Sequence, residues 1–416
     1  MRFLSSMARI WLTRSVKPFV FQNTYDSKLK FSDCEELGLY IHIPFCKSIC
    51  SFCPYCKEKY QKTLCDRYID ALIKEINLVG DQTRKKEVTS LYFGGGTPAL
   101  AADRLFDIIS AVKNHFIITE GIGIELHPDN VTVDILKTLA AAGVTKISIG
   151  IQSFQNKYQH ILGRKSVNAD ALKNALAEVP FETVSMDFIF ALPGQTYEDL
   201  KADIDSAFES GANHIAIYPF IDFTFTQSKV KAMRSKNKKM LLDKITEYCL
   251  EKRYTRNSIW TFSSNKRANY SSMTRACYLG FGCSAVTLLK DQFKINTFSI
   301  EDYIKRIDAK ELPTSLTLHF TQRQRMLYYL FWTAYSTKIH PDEFQEFFGV
   351  SLKSMFGFEL KIAELLGFIE EHNGVYQLTL KGVFYFHYFE NFYTLSYIDK
   401  MWGIMREEAF PTKIVL

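Results

Sequence analysis

The sequence predicts an α/β protein: a partial (β/α)6 barrel followed by a smaller, mainly helical domain of winged-helix type. Three observations predict it. Between residues 38 and 220, six short apolar runs alternate with stretches of helical periodicity. Polar, glycine and cysteine features fall where those runs end. Past residue 321 the pattern changes to successive helices and then two short strands around Asn373-Gly374, a hairpin turn signal. Strands separated by helices are parallel, because a βα crossover lays each helix on a face of the sheet. No GxGxxG follows the first strand, so a barrel fits better than a doubly wound nucleotide-binding sheet.

The elements follow in order. "LGLYIHIP" is the first strand, ended by Pro44, and "DRYIDALIKEINLVG" is a helix with Tyr68, Leu72, Ile76 and Val79 on one side. "VTSLYFGGG" is a strand closed by glycines, followed by a helix over 103–115. The strand "GIGIELHP" precedes a helix over 133–142, and "KISIGIQS" precedes one near 168–178. "TVSMDFIFALP", a helix over 197–210 and "HIAIYPF" complete the alternation. The run "KVKAMRSKNKK" reads as a solvated helix end or loop, while "RNSIWTFSS" and "LGFGCSAVTLL" read as material that closes the core. The predicted units are an N-terminal extension (1–37), a barrel core (38–235), a closing segment (236–320) and a helical domain (321–416). The last helix before the hairpin and the hairpin itself carry Glu359, Glu364, Glu370 and Glu371, which repel phosphate and argue against a DNA reader. The aromatic tail "FYFHYFENFYTLSYIDKMW" reads as a helix capping the core, with a pocket for a flat or lipid-like ligand as the alternative.

The bulk numbers exclude several classes. With 416 residues, 47% hydrophobic and 23% charged, the chain builds a large core without staples. A net charge of +6 over this length is no argument for nucleic-acid binding. Nine cysteines, four of them clustered, do not resemble a secreted disulfide scaffold and point to a cytosolic, reducing compartment. No apolar run has the ~20 residues of a membrane-spanning helix. The N-terminus carries Arg2, Arg9, Arg14 and Lys17 without an acidic residue, and Phe3, Leu4, Met7, Ile10 and Trp11 share one helical face. That pattern suits a helix packed on the protein, a helix peripheral to a membrane surface, or a targeting segment.

The chemistry concentrates in "YIHIPFCKSICSFCPYCKEKY", where Cys46, Cys50, Cys53 and Cys56 lie within eleven positions. CxxxCxxC wraps three thiolates around one iron–sulfur cubane and leaves the fourth iron without a protein ligand. An open iron chelates an amine and a carboxylate, which S-adenosylmethionine supplies; one-electron reduction then cleaves the sulfonium to a 5′-deoxyadenosyl radical. A structural zinc site is the alternative, but zinc ribbons split their ligands into two separated pairs. The glycines of "GGGTP" (94–98) let backbone groups approach a ligand closely.

Together, "YIHIPFC", "YFGGGTP", "SIGIQSF", "LGR", "MDFIFALPGQT" and "YLGFGCSA" resemble the oxygen-independent coproporphyrinogen III oxidase-like family of the radical S-adenosylmethionine superfamily, over roughly residues 38–300. The resemblance implies a 4Fe-4S cluster on Cys46, Cys50 and Cys53, and one or two molecules of S-adenosylmethionine. It implies contacts to the cluster-bound molecule from Tyr40, Gly95 and Glu125, and to a second from Phe52, Gly96, Thr97, Gln152, Arg164 and Asp187. Glu125 and Asp187 can accept from hydroxyls or an ammonium, and Arg164 can pair a carboxylate. Gln152 as a satisfied core amide and Arg164 as a surface ion pair are the structural alternatives. Asp187 inside an apolar strand reads as functional, because a lone buried carboxylate is costly.

Two departures matter. The family's dehydrogenase has its extra cysteine one residue beyond the third ligand, whereas Pro54 and Tyr55 precede Cys56 here. The haem chaperones carry HNxxYW after the barrel, where this chain reads "SSNKRANYSSM". The activity expected from the resemblance is methyl transfer to an sp² carbon of a flat conjugated substrate: a tetrapyrrole, a quinone or an aromatic metabolite. The alternatives are oxidative decarboxylation of coproporphyrinogen III and haem trafficking. A flavodoxin or ferredoxin is the expected electron donor.

Overall fold

The computed structural model describes residues 2–83, 85–264 and 276–416. Six parallel strands form its centre: β1 (Leu37–Ile43), β2 (Ser90–Gly95), β3 (Ile122–Leu126), β4 (Lys146–Gln152), β5 (Thr183–Phe190) and β6 (His214–Pro219). They lie side by side in chain order. Helices α1 (Lys62–Gly80), α2 (Leu105–His115), α3 (Val133–Ala141), α4 (Ala169–Glu178) and α5 (Tyr197–Glu209) connect them, as the crossover argument requires. The expected barrel core is therefore present. Its strands are apolar on both faces because helices cover one face and the barrel interior the other; in β1 only Tyr40 is less than fully buried.

The register fixes which side chains look inward. Tyr40 pairs with Tyr92, Glu125 with Ser148, Ser148 with Ser185, and Asp187 with Ala216. Paired residues of neighbouring strands share a face, so these polar groups all point into the barrel.

The barrel stays open, and its sheet continues at both edges to fourteen strands. Beyond β6 lie the antiparallel strands Thr261–Ser263 and Thr255–Arg256. Beyond β1 comes β7 (Cys277–Phe281), parallel to it, then the antiparallel run β8 (Val286–Leu288), β9 (Gln292–Asn296) and β10 (Thr314–His319). Helix α6 (Ser235–Glu251) begins within the basic run, and α7 (Ile300–Asp308) packs beside α1. Most of the segment read as HNxxYW-deficient lies outside the described residues.

Helices α8 (Gln322–Tyr335), α9 (Pro341–Phe348) and α10 (Leu352–Leu365) precede the hairpin β11 (Ile369–His372) and β12 (Val375–Leu378). Asn373 and Gly374 turn it with φ of 51° and 83°, the left-handed pair a two-residue hairpin needs. This unit has its own core around Met326, Phe344, Leu352, Phe356 and Tyr376. Helices α11 (Leu380–Tyr393) and α12 (Asp399–Glu407) then return to the barrel, where Met401 and Met405 join the main core.

The first 37 residues are not a separate extension. Val20–Gln22 is a strand between β10 and Lys413–Val415. The N-terminal helix Arg2–Thr13 packs on α8 and α10: Trp11 meets Phe358 edge-on at 6.4 Å, Arg14 pairs with Glu359 at 2.9 Å, and Arg323 donates to the Leu12 carbonyl at 2.7 Å. Among the described residues no helix is long and apolar enough to cross a membrane.

Candidate active site

The cysteine loop leaves the C-terminal end of β1 and closes on itself. Residues Phe45–Cys46 run parallel to Glu58–Lys59, with Glu58 N donating to Pro44 O at 2.6 Å and Tyr60 N to Cys46 O at 2.9 Å. Cys46, Cys50 and Cys53 are half-buried free thiols on this loop. The amino group of Lys57 bonds the Cys53 carbonyl, and Arg406 of α12 bonds that of Pro54. Burial pushes the Cys46 thiol up to about 11 and raises Cys50 as well, so both are protonated until a metal displaces the proton.

Cys56 faces the other way. It is only 7% exposed, and its Sγ lies 3.9 Å from the buried Cys283 Sγ and 3.3 Å from the Phe298 carbonyl. Its own carbonyl meets His42 Nε2 at 3.1 Å, and His42 Nδ1 meets the Tyr40 hydroxyl at 3.0 Å. The fourth cysteine thus anchors the loop to the core and leaves three thiols for a ligand.

The glycine run at the end of β2 lies directly beneath this loop. Gly95 has φ of 125°, and a side chain there would meet the Ile43 carbonyl at 2.8 Å. At Gly96 a Cβ would stand 2.7 Å from the Phe45 carbonyl and 2.9 Å from Cys46 Sγ. Only glycine allows this close approach. Thr97 follows, with Oγ1 4.0 Å from Cys46 Sγ.

Glu125 on β3 accepts from Gly95 N at 3.1 Å and from the Tyr92 hydroxyl at 3.3 Å. Burial, with the charge of Asp187 adding to it, raises its pKa to about 7 against those two bonds. Asp187 on β5 is not the lone carboxylate that its apolar strand suggests. Ser148 and Ser185 donate to it at 2.8 and 3.3 Å, and burial still raises it to about 6.

Gln152 ends β4 with φ of 70°, where the pairing of β4 with β5 shifts register. Arg164 corrects the surface-ion-pair alternative: it is half-buried, donates to the Gly150 carbonyl at 2.8 Å, and forms no ion pair among the described residues. Burial lowers its pKa, with the Cys50 thiol the strongest opposing influence. Phe52 packs near Tyr158, Leu162, Leu192 and Phe220.

Sequence reasoning missed His42, Tyr92, Ser148 and Ser185, which hold Tyr40, Glu125 and Asp187 in place. The available signal was parity: His42 lies two residues from Tyr40, and each serine falls on the inward alternation of its strand.

The donor set fits a cubane. Three half-buried thiols share one loop within electrostatic reach of one another, the fourth is turned into the core, and the glycine backbone lies beneath. Among the described residues no three His, Cys, Asp or Glu converge as the ligands of one ion do. The thiolates of a cubane each take a different iron.

Comparison with known proteins agrees. Residues 40–207 match the Radical SAM superfamily. The chain is 26% identical to the heme chaperone HemW of Bacillus subtilis over 82% of its own length and 95% of that protein. It is 25% identical to the oxygen-independent coproporphyrinogen III oxidase of Salmonella typhimurium over 66% of each. It spans about half of the HemW of Lactococcus lactis, at 32% identity over 48% of that protein. The solved structure of Escherichia coli coproporphyrinogen III oxidase (HemN), a radical SAM enzyme, superposes with a TM-score of 0.73 and 21% identity, covering 90% of this chain and 92% of that one.

Residues 40–207 thus carry a radical SAM domain, and members of that superfamily use a 4Fe-4S cluster and S-adenosylmethionine. Over 82% and 66% of its length, respectively, the chain is similar to HemW and to oxygen-independent coproporphyrinogen III oxidase.

Proposed function

We propose that this protein is a radical SAM methyltransferase acting on an sp² carbon of a flat conjugated substrate. In this reading Cys46, Cys50 and Cys53 hold the cluster, and Tyr40, Gly95 and Glu125 hold the S-adenosylmethionine bound to it. Reductive cleavage of that molecule, driven by a one-electron donor of flavodoxin or ferredoxin type, supplies the 5′-deoxyadenosyl radical. Phe52, Gly96, Thr97, Gln152, Arg164 and Asp187 hold a second S-adenosylmethionine as methyl source.

The observation that carries the reading is Arg164. A desolvated guanidinium bonded to one carbonyl, without a carboxylate partner among the described residues, is set to receive an anionic group. The carboxylate of a methionyl moiety has that chemistry. Asp187, preset by two serines, supplies acceptors for hydroxyls of the same ligand. Hydrogen abstraction from coproporphyrinogen III is the second reading. It is favoured by the similarity to the Salmonella typhimurium oxidase.

The test is a product assay on anaerobically reconstituted protein with reductant and S-adenosylmethionine, offered haem, coproporphyrinogen III and a menaquinone in parallel. Methyl transfer predicts that 5′-deoxyadenosine and S-adenosylhomocysteine rise together with one acceptor, which gains one CH₂. Formation of 5′-deoxyadenosine alone with every acceptor would sink the methylation reading and leave hydrogen abstraction.

A further inference from the structure

Cys56 is the thiol of the cysteine loop that the cluster chemistry leaves over, and it has a partner. Its Sγ is in contact with Cys283 Sγ at 3.9 Å. Cys283 lies just beyond β7, the strand that runs parallel to β1, so the pair joins the loop after β1 to the turn after its neighbour. Both are free thiols, and both are buried, at 7% and 0% exposure.

Hydrogen bonds fix both cysteines in place. The Cys56 carbonyl accepts from His42 Nε2 at 3.1 Å, and Cys283 N donates to the Tyr68 hydroxyl at 2.9 Å. That hydroxyl donates in turn to the His42 carbonyl at 2.7 Å. His42 of β1 thus holds one cysteine through its ring and the other through its backbone. Gly282 N is tied to Glu75 at 2.7 Å. Linking two thiols already held together costs little chain entropy, because folding has brought residues 227 positions apart into contact.

The protons are ordered as well. Cys56 Sγ donates to the Phe298 carbonyl at 3.3 Å. A thiol has a single proton, so the contact between the sulfurs is made by the Cys283 proton pointing at a Cys56 lone pair. Cys56 is the more exposed of the two sulfur side chains, and the one an oxidant meets first.

We propose that Cys56 and Cys283 form a dithiol that closes to a disulfide on meeting a hydroperoxide, and that this bond keeps Cys56 from linking to Cys46, Cys50 or Cys53 while the cluster is absent. A link from Cys56 to any of those three would remove an iron ligand from the loop. The Cys56 sulfur attacks the peroxide, the O–O bond breaks, and water leaves as Cys56 becomes a sulfenic acid. The Cys283 sulfur then attacks the Cys56 sulfur, the S–O bond breaks, a second water leaves, and the disulfide forms. The thiols give up two electrons and two protons, and one hydrogen peroxide becomes two waters. This step is independent of the proposed methyl transfer.

The test treats the full chain, before reconstitution, with equimolar hydrogen peroxide, blocks the remaining thiols under denaturing conditions, and maps linked peptides by mass spectrometry. The expected product is the Cys56–Cys283 pair, lighter by two hydrogens, in at least about tenfold excess over any link from Cys56 to Cys46, Cys50 or Cys53. Iron and sulfide are then offered without a thiol reductant. The unmodified chain and Cys56→Ala are expected to take up iron to within about twofold of their untreated samples, and Cys283→Ala at least about threefold less, its Cys56 being left to the loop thiols. If Cys283→Ala takes up no iron even without peroxide, the peptide map of the unmodified chain still decides the proposal. A Cys56 that stays free, or that links chiefly to another loop cysteine, overturns it. Equal iron uptake by peroxide-treated and untreated Cys283→Ala overturns the protective role.

Discussion

Glu125 offers the sharpest single test of the site, because its charge state changes within an accessible pH range. Its carboxyl is raised to about 7 by burial and by Asp187, while Gly95 N and the Tyr92 hydroxyl already donate to it. If it also accepts from S-adenosylmethionine, the carboxylate binds and the neutral acid does not. A hydrogen bond to a charged acceptor contributes about 1.5–3 kcal/mol, so Glu125→Gln should weaken binding by about 10- to 150-fold at pH 8. The sign of the pH effect follows from the raised pKa. The charged fraction falls from about 0.9 at pH 8 to about 0.1 at pH 6, so Kd of the unmodified protein should rise about tenfold on acidification. The Gln variant has no such proton to take up, and the ratio of the two Kd values should shrink by that factor. The assay is equilibrium dialysis of labelled S-adenosylmethionine against reconstituted, unreduced protein at both pH values. Comparing the two proteins cancels the titration of the ligand and of the cysteines. A Kd ratio near one at pH 8, or one that does not change with pH, would refute the assignment of Glu125 to the ligand.

Three further outcomes follow from the same geometry. Cys50→Ala should lose the iron and visible absorbance of the reconstituted protein, whereas Cys56→Ala should keep them, because the Cys56 thiol faces Cys283 and Phe298; iron and sulfide analysis of both variants decides it. Arg164→Gln should abolish S-adenosylhomocysteine formation while 5′-deoxyadenosine stays within about twofold, if the guanidinium serves only the second anion site. Glu75→Leu should destabilise the fold by about 3–5 kcal/mol, since it strips the acceptor from three buried donors. Those are Gly282 N at 2.7 Å, the Tyr303 hydroxyl at 2.6 Å and Asn296 Nδ2 at 3.2 Å. The urea midpoint of the apo-protein is the readout.

Much of this site is legible in the residues alone. Thiols spaced three and two apart, glycines closing a strand, and acids at strand ends identify a chemistry because each depends on local chain geometry. The alternation of strand and helix then brings those ends to one rim, whatever the loops do. What periodicity cannot reveal is how a polar group in an apolar strand is satisfied. Ser148 lies 39 positions from Asp187, and only the register of β4 against β5 brings its hydroxyl within 2.8 Å.

The same limit applied to the fourth cysteine. Four thiols in eleven positions look alike on paper, and Cys56 is separated from the others by its contact with Cys283, 227 positions away. The sequence leaves the N-terminal helix open between three environments, since an amphipathic face does not name its partner; the contacts of Trp11 and Leu12 with α10 and α8 come only from the fold. By itself, the sequence determined the barrel, the cysteine loop and the glycine run, all of which follow from patterns a few residues long. Only the tertiary structure decided the orientation of Cys56, the bond of Arg164 to the Gly150 carbonyl and the serine partners of Asp187. Each of these arises where segments far apart in the chain meet, and that meeting is set by packing and register, not by local pattern.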